Sequence, residues 1–157
     1  MSAPSIVRRQ LDAQPILFIR RDTSPEALAG VLGECFGRLF SLGYSKGLPI
    51  SGAPIARYVS MGPGAWTIEA AMPLAVAATG IADQEIQAGE LPAGPAAFAV
   101  HTGPYETLSQ THAAIAQWMR GEGCEPAGPP WESYVTDPGQ QPDPAQWQTE
   151  VFWPLRP

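Results

Sequence analysis

The sequence predicts an α+β fold made of two tandem, duplicated β-β-α-β-β modules, each an antiparallel sheet with one main helix laid across it. Two observations carry this. Each half contains one long stretch with apolar residues at helical spacing among short runs that alternate as strands do. The same short motifs also recur in the same order about 80 positions apart, from Pro15 to Pro95 and from Trp66 to Trp147.

In chain order, Ile6–Leu11 and Ile16–Arg20 read as strands joined at Ala13-Gln14-Pro15. Ser24-Pro25-Glu26 should open the first helix, with Ser24 as cap, Pro25 at the first helical position and Glu26 facing the positive end of the dipole. Leu28, Leu32, Cys35, Leu39 and Leu42 form its stripe, and Gly43 is expected to end it. A hairpin follows, Pro54 to Val59 and Trp66 to Leu74, turning at Gly62-Pro63-Gly64. The order then repeats. Asp83 to Gln87 and Pro95 to His101 read as strands, and Pro104 and Glu106 are placed to start and cap a second helix. Its stripe is Leu108, His112, Ile115 and Met119, with Gly121 or Gly123 as the stop, and Pro130 to Val135 with Trp147 to Leu155 closes the chain as a hairpin.

The repeat is specific in its details. Gly52-Ala53-Pro54-Ile55-Ala56-Arg57-Tyr58-Val59 and Gly128-Pro129-Pro130-Trp131-Glu132-Ser133-Tyr134-Val135 share G-x-P-x-x-x-Y-V. Trp66 to Leu74 and Trp147 to Leu155 share W-x-x-E-x-x-x-P-L, and Pro15 to Phe18 and Pro95 to Phe98 share P-x-x-F. The chain is therefore read as one domain, 1–157, made of repeat halves 5–80 and 81–157.

Composition narrows the function. At 157 residues the chain buries enough surface to fold without a metal or disulfide. Two cysteines and a leader without an apolar segment point to a reduced cytoplasm, and no window approaches the roughly 20 apolar residues of a membrane helix. A net charge of −6, with one lysine and scattered arginines, argues against direct nucleic-acid binding. His101, His112, Cys35 and Cys124 lack paired metal-ligand spacing, and no phosphate-binding glycine loop or Ser-His-Asp order is present, so neither metal nor cofactor is expected.

Duplication supplies an internal control. Residues shared by both halves, such as Tyr58 and Tyr134 or Trp66 and Trp147, are explained as scaffold, whereas a residue that breaks the symmetry needs another cause. Glu132 stands where the first half has Ala56, inside a run that otherwise reads as a buried aromatic strand. A carboxylate there is costly unless it meets a partner. It either serves a ligand or pairs with an arginine such as Arg57. Tyr134 shares its strand face about 6–7 Å along, and Trp131 points to the opposite face. Trp66, Trp147 and Trp153 fit either core or wall. His101 and His112 read as structural. Glu69 and Glu150 recur in both halves, so a glycosidase-like pairing with Glu132 has little support. Gly30, Gly33 and Gly37 lie within about 60° of one another on the first helix, which fits close approach by a partner surface or a second copy of the chain, or neutral drift in a chain with 16 glycines.

The Gly103-Pro104-Tyr105 turn, the Pro-Pro-Trp-Glu-Ser-Tyr strand and the terminal Pro154-Leu155 make the chain resemble the GyrI-like small-molecule-binding domains, also the effector-binding domains of drug-sensing transcription activators. The resemblance covers essentially the whole chain. It implies two tandem modules with a ligand cleft between them and a pocket glutamate at Glu132 ringed by aromatic side chains. Tyr134, Tyr105, Trp66, Trp153, Tyr58 and Phe98 are the ring candidates, and Tyr105 matches a recurrent family residue near the cleft. Family members bind bulky hydrophobic compounds, often cationic or polyaromatic. Some free-standing members hydrolyse cyclopropane-bearing DNA-alkylating natural products, which would make Glu132 and Tyr134 catalytic, and another type inhibits DNA gyrase. No helix-turn-helix precedes residue 5, which departs from the regulator pattern and points to a free-standing form.

Overall fold

The structure, a computed structural model, describes residues 4–81 and 83–157. The chain divides into two compact units, residues 13–92 and residues 1–12 with 93–157.

In the first unit the strands are β2 (Gln14–Thr23), β3 (Ile55–Gly62), β4 (Ala65–Pro73) and β5 (Gln87–Leu91), with helix α1 (Leu28–Ser45). All pairings are antiparallel, in the order β5-β2-β4-β3. Leu17 lies opposite Met72 and Ile19 opposite Ala70, so the apolar positions of β2 and β4 share a face. Leu17, Ile19, Cys35, Leu39, Ile68 and Met72 are fully buried.

Three boundaries differ from expectation. Ser24 does not cap the helix: its Oγ accepts from the Ala27 N–H at 3.3 Å, closing a lead-in turn, and α1 begins at Leu28. Gly43 does not stop α1. It is buried within the helix because a Cβ there would sit 2.9 Å from the Met72 Sδ, and the left-handed conformation falls instead at Gly47, φ 61°. Asp83–Gln87 is not a strand, because the Asp83 carboxylate accepts from the backbone N–H groups of Glu85 and Ile86 and closes a turn, leaving pairing to Gln87–Leu91. Those two backbone bonds hold the Asp83 carboxyl below its ordinary range. Glu85 is held down by Arg38, 2.8 Å away, and it also meets Arg21 at 2.6 Å, so this segment is tied to α1 and β2. Gly30, Gly33 and Gly37 are exposed on α1, and an added Cβ at any of them meets nothing within 4 Å.

In the second unit the strands are β1 (Val7–Leu11), β6 (Gly94–Thr102), β7 (Trp131–Ser133) and β8 (Gln148–Pro154), with helix α2 (Leu108–Glu122) entered through a single 3-10 turn, Tyr105–Thr107. Their order is β1-β6-β8-β7, again antiparallel. The arrangement of the first unit thus recurs, helix placement included. The units do not coincide with the sequence halves 5–80 and 81–157, because β1 pairs with β6 and β5 with β2. Ala97, Ala99, Leu108, Ile115, Met119, Val151 and Leu155 form the core, with Trp118, Tyr134 and Trp153 packed against it.

The start of α2 also differs. Pro104 is extended and precedes the helical turns, and no side chain makes the cap expected from Glu106; the Thr107 hydroxyl donates to the Pro104 carbonyl at 2.9 Å and closes the entry turn. His101 is structural. Its Nδ1 lies 2.7 Å from the Thr111 hydroxyl, and its Nε2 lies 3.0 Å from the Thr107 hydroxyl, so the imidazole pins the helix entrance to β6. The helix ends at Gly123, left-handed at φ 69°. Among the described residues no helix is long and apolar enough to cross a membrane, and both cysteines are free thiols.

Candidate functional site

Glu132 occupies the middle of β7 directly opposite Val151 on β8, so it projects to the face that α2 covers. Only 3% of it is exposed. A carboxylate so placed needs donors, and the second unit supplies them. Tyr134, one residue past the end of β7, donates its hydroxyl to Glu132 Oε1 at 2.7 Å. His112, from the middle of α2, brings Nε2 to 2.7 Å from Oε2. Trp153, on β8, donates its indole N–H to the other ring nitrogen, His112 Nδ1, at 2.9 Å. The result is a connected chain, Trp153–His112–Glu132–Tyr134, whose members come from α2 and both strands of the closing hairpin.

Aromatic surface flanks this chain. The Tyr105 ring lies 5.5 Å from that of Tyr134 and 4.9 Å from that of Trp147, centroid to centroid. Trp147 is anchored by its indole N–H, which donates to the Gln141 carbonyl at 2.7 Å. Tyr105 is 37% exposed, so this aromatic edge reaches solvent. Its phenol is held above the ordinary tyrosine range, first by burial and then by the negative charges of Asp137 and Glu132. At neutral pH it is a neutral donor and a π surface. Rings beside an anion suit a cation with a flat or apolar body.

Of the expected residues, Glu132, Tyr134, Tyr105 and Trp153 are brought together. Phe98 is not part of this cluster. It lies opposite Phe152, itself opposite Trp131, on the sheet face away from Glu132; the Phe98 and Phe152 rings are tilted with centroids 5.0 Å apart, and Phe152 stacks on Trp131 at 5.5 Å. Arg9 covers the Phe98 ring at 3.8 Å. Tyr58 and Trp66 belong to the first unit, where they meet edge to face at 6.1 Å. Arg57, the arginine considered as a partner for Glu132, reaches Glu69 at 3.5 Å, and Arg20 reaches the same carboxylate at 2.6 Å. A polar cleft of about 520 Å³ in the second unit lies apart from the cluster, bordered by Arg8, Cys124, Glu125 and Arg156. No group of acidic, histidine or cysteine side chains suited to a metal occurs among the described residues.

His112 reads as structural from its place on an apolar stripe, and the structure sets it between Glu132 and Trp153. The signal was present all the same: the stripe Leu28, Leu32, Cys35, Leu39 corresponds to Leu108, His112, Ile115, Met119, so His112 replaces a core leucine. Glu132 replaces Ala56 and Trp153 replaces Met72. Three residues that break the repeat are the three joined consecutively by hydrogen bonds.

The fold and this cluster define an α+β domain carrying an aromatic-flanked buried carboxylate. The chain belongs to the GyrI-like small-molecule-binding domain family, whose model matches residues 4–156. No curated protein sequence matches it. Among solved structures it is similar to EcmrR in a complex with DNA, with 19% identity and a TM-score of 0.84, covering 98% of this chain and 57% of that one. The isolated EcmrR C-terminal domain gives 18% identity and a TM-score of 0.80, with 98% of both chains covered. A hydrolase from Listeria innocua is similar at 14% identity and a TM-score of 0.70, covering 98% and 93%. SAV2435, solved bound to tetraphenylphosphonium, is similar at 13% identity and a TM-score of 0.66, covering 97% and 94%.

Proposed function

We propose that the chain binds bulky hydrophobic cations, in the manner of xenobiotic binding, against the aromatic edge beside Glu132. The observation that carries this is a carboxylate 3% exposed, held by His112 and Tyr134 and bordered by the rings of Tyr105, Trp147 and Trp153. Aromatic burial supplies most of the affinity, about 25 cal/mol per Å² of apolar surface removed from water. The carboxylate supplies selection, because a unit charge about 6 Å away at an effective dielectric of about 20 feels about 3 kcal/mol. The tetraphenylphosphonium held by SAV2435 is a ligand of this kind. Two free thiols fit a reducing cytoplasm.

The test is titration of the purified protein with tetraphenylphosphonium and with neutral triphenylphosphine oxide. Glu132→Gln should weaken the cation roughly 100-fold and leave the neutral compound nearly unchanged. Equal losses for both would remove the charge argument.

A second reading is favoured by the acid–base character of the same cluster: a carboxylate with a phenol 2.7 Å from one oxygen and an imidazole 2.7 Å from the other. Glu132 would orient or deprotonate a water that opens a cyclopropane-bearing alkylator, and Tyr134 would protonate the departing carbon or its conjugated oxygen. Incubation of the two proteins with such a compound, followed by mass spectrometry, decides it. Ring opening no faster than in buffer, or equally fast with Glu132→Gln, excludes hydrolysis. The protein partner proposed is a second copy of the chain, seated on the exposed face of α1 that carries Gly30, Gly33 and Gly37.

A further inference from the structure

The exposed rim of the aromatic edge is tied together by main-chain bonds that meet at Trp147. The Trp147 carbonyl accepts from the Gly103 N–H at 2.8 Å, two residues before Tyr105. The next residue, Gln148, pairs with Thr136: its N–H donates to the Thr136 hydroxyl at 2.9 Å, and its carbonyl accepts from the Thr136 N–H at 3.3 Å. Asp137 follows directly. Its carbonyl accepts from the N–H groups of Gln140 and Gln141, each at 3.0 Å, and the Gln141 carbonyl in turn holds the Trp147 indole N–H at 2.7 Å. Asp137, Trp147 and Tyr105 are therefore fixed relative to one another.

The Asp137 carboxylate has a set direction as well. Its Oδ1 accepts from the Gly139 N–H at 2.9 Å while the residue stays exposed. Its charge reaches the rings: after burial, Asp137 and then Glu132 are what hold the Tyr105 phenol above its ordinary range. Tyr105, 37% exposed and 4.9 Å from the Trp147 ring, thus lies in the field of two carboxylates, one exposed and one buried. The segments that carry these side chains, residues 103–119 and 131–153, contain no lysine or arginine. An exposed carboxylate adds little to equilibrium affinity, because water screens it. It acts on encounter instead, raising the rate at which a cation arrives, and salt removes that gain. Exposed rings beside it then receive the cation on their faces.

We infer that Asp137 is a specificity-determining residue that draws organic cations to the exposed Tyr105–Trp147 edge, an outer step taken before the cation comes under Glu132. This rests on the reading that such cations bind beside Glu132. It adds kinetic selection at the rim to the equilibrium selection made by the buried carboxylate.

The test is stopped-flow mixing of the purified protein with tetraphenylphosphonium and with triphenylphosphine oxide, followed by tryptophan emission. It is run at about 10 mM and about 500 mM salt, between which the Debye length falls from about 30 Å to about 4 Å. Asp137→Asn keeps a side-chain oxygen to accept from the Gly139 N–H and removes the charge. Its association rate for the cation should fall about threefold at low salt, the effect of one charge about 7 Å away in water. At high salt it should meet the rate of the unmodified protein, and the rate for the neutral compound should be the same in both. Asp143→Asn is the control. It removes the same charge from the same loop, at a carboxylate that accepts from the Ala145 N–H at 3.1 Å, and should slow the cation distinctly less. Equal slowing by the two variants assigns the effect to overall charge and overturns the proposal. So does an unchanged cation rate in Asp137→Asn, or a loss of rate shared by both compounds. Failure of the underlying reading shows separately, as a cation affinity that Glu132→Gln leaves unchanged.

Discussion

At the residue scale the two oxygens of Glu132 explain most of the cluster. Each receives a short hydrogen bond, and a charge-assisted bond contributes about 1.5–3 kcal/mol when its loss leaves the charge underserved. Tyr134→Phe removes the hydroxyl donor to Oε1 and keeps the ring against Tyr105. Urea denaturation should show it less stable by about 1.5–2 kcal/mol, the lower part of that range because Tyr134 is half-buried, with an unchanged denaturant slope. A change below about 0.3 kcal/mol would mean that this bond does not hold the carboxylate in solution. Glu132 was legible in the sequence because an acidic residue replaced alanine within a matched strand. The hydrogen bonds around it were not, because Tyr134 recurs in both halves and His112 obeys helical spacing as well as the leucine it replaces. Periodicity reports which face a side chain occupies. It is silent on what crosses from the strands to meet it.

At the element scale glycine separates two readings of α1. The stripe Leu32, Cys35, Leu39 was legible and is buried, yet Gly43, expected as the stop, lies on the same buried face. Its role is contact, since Met72 Sδ and Ile50 Cδ1 come within 3.0 Å of where a Cβ would stand. Gly43→Ala gains about 0.8–1 kcal/mol of helix propensity and sets it against overpacking of about 1–3 kcal/mol. Met72 is flexible and can yield at its end, so the net loss should be about 1 kcal/mol. Gly37→Ala meets no atom and should gain about 0.8–1 kcal/mol. The opposite signs are checked in one denaturation series. Native mass spectrometry of Gly37→Ala reads the partner face in the same material, with loss of a dimer expected if a second copy packs there and unchanged mass assigning the face to solvent.

At the scale of the whole molecule the repeat was visible and the pairing of its leading strands was not. Residues 5–11 open the first half, but β1 pairs with β6 in the register Val7–Phe98 to Leu11–Gly94, and β5 takes the matching place beside β2. Sequence reasoning could not assign this, because Val7 to Gln10 are all exposed and a strand without an apolar face does not specify its neighbour. The consequence is measurable far along the chain. Removing residues 1–11 strips β6 of its edge partner, together with the Arg8 bond to Cys124 at 2.8 Å and the Arg9 contact with Phe98. Hydrogen exchange should then accelerate in β6 and β8, while α1, β3 and β4 keep their protection. Cation binding should weaken with it, since β8 carries Trp153 and lies beside Glu132. If protection were lost instead in residues 13–92, the leading strand would belong to the first unit and the exchange of strands between repeats would be wrong.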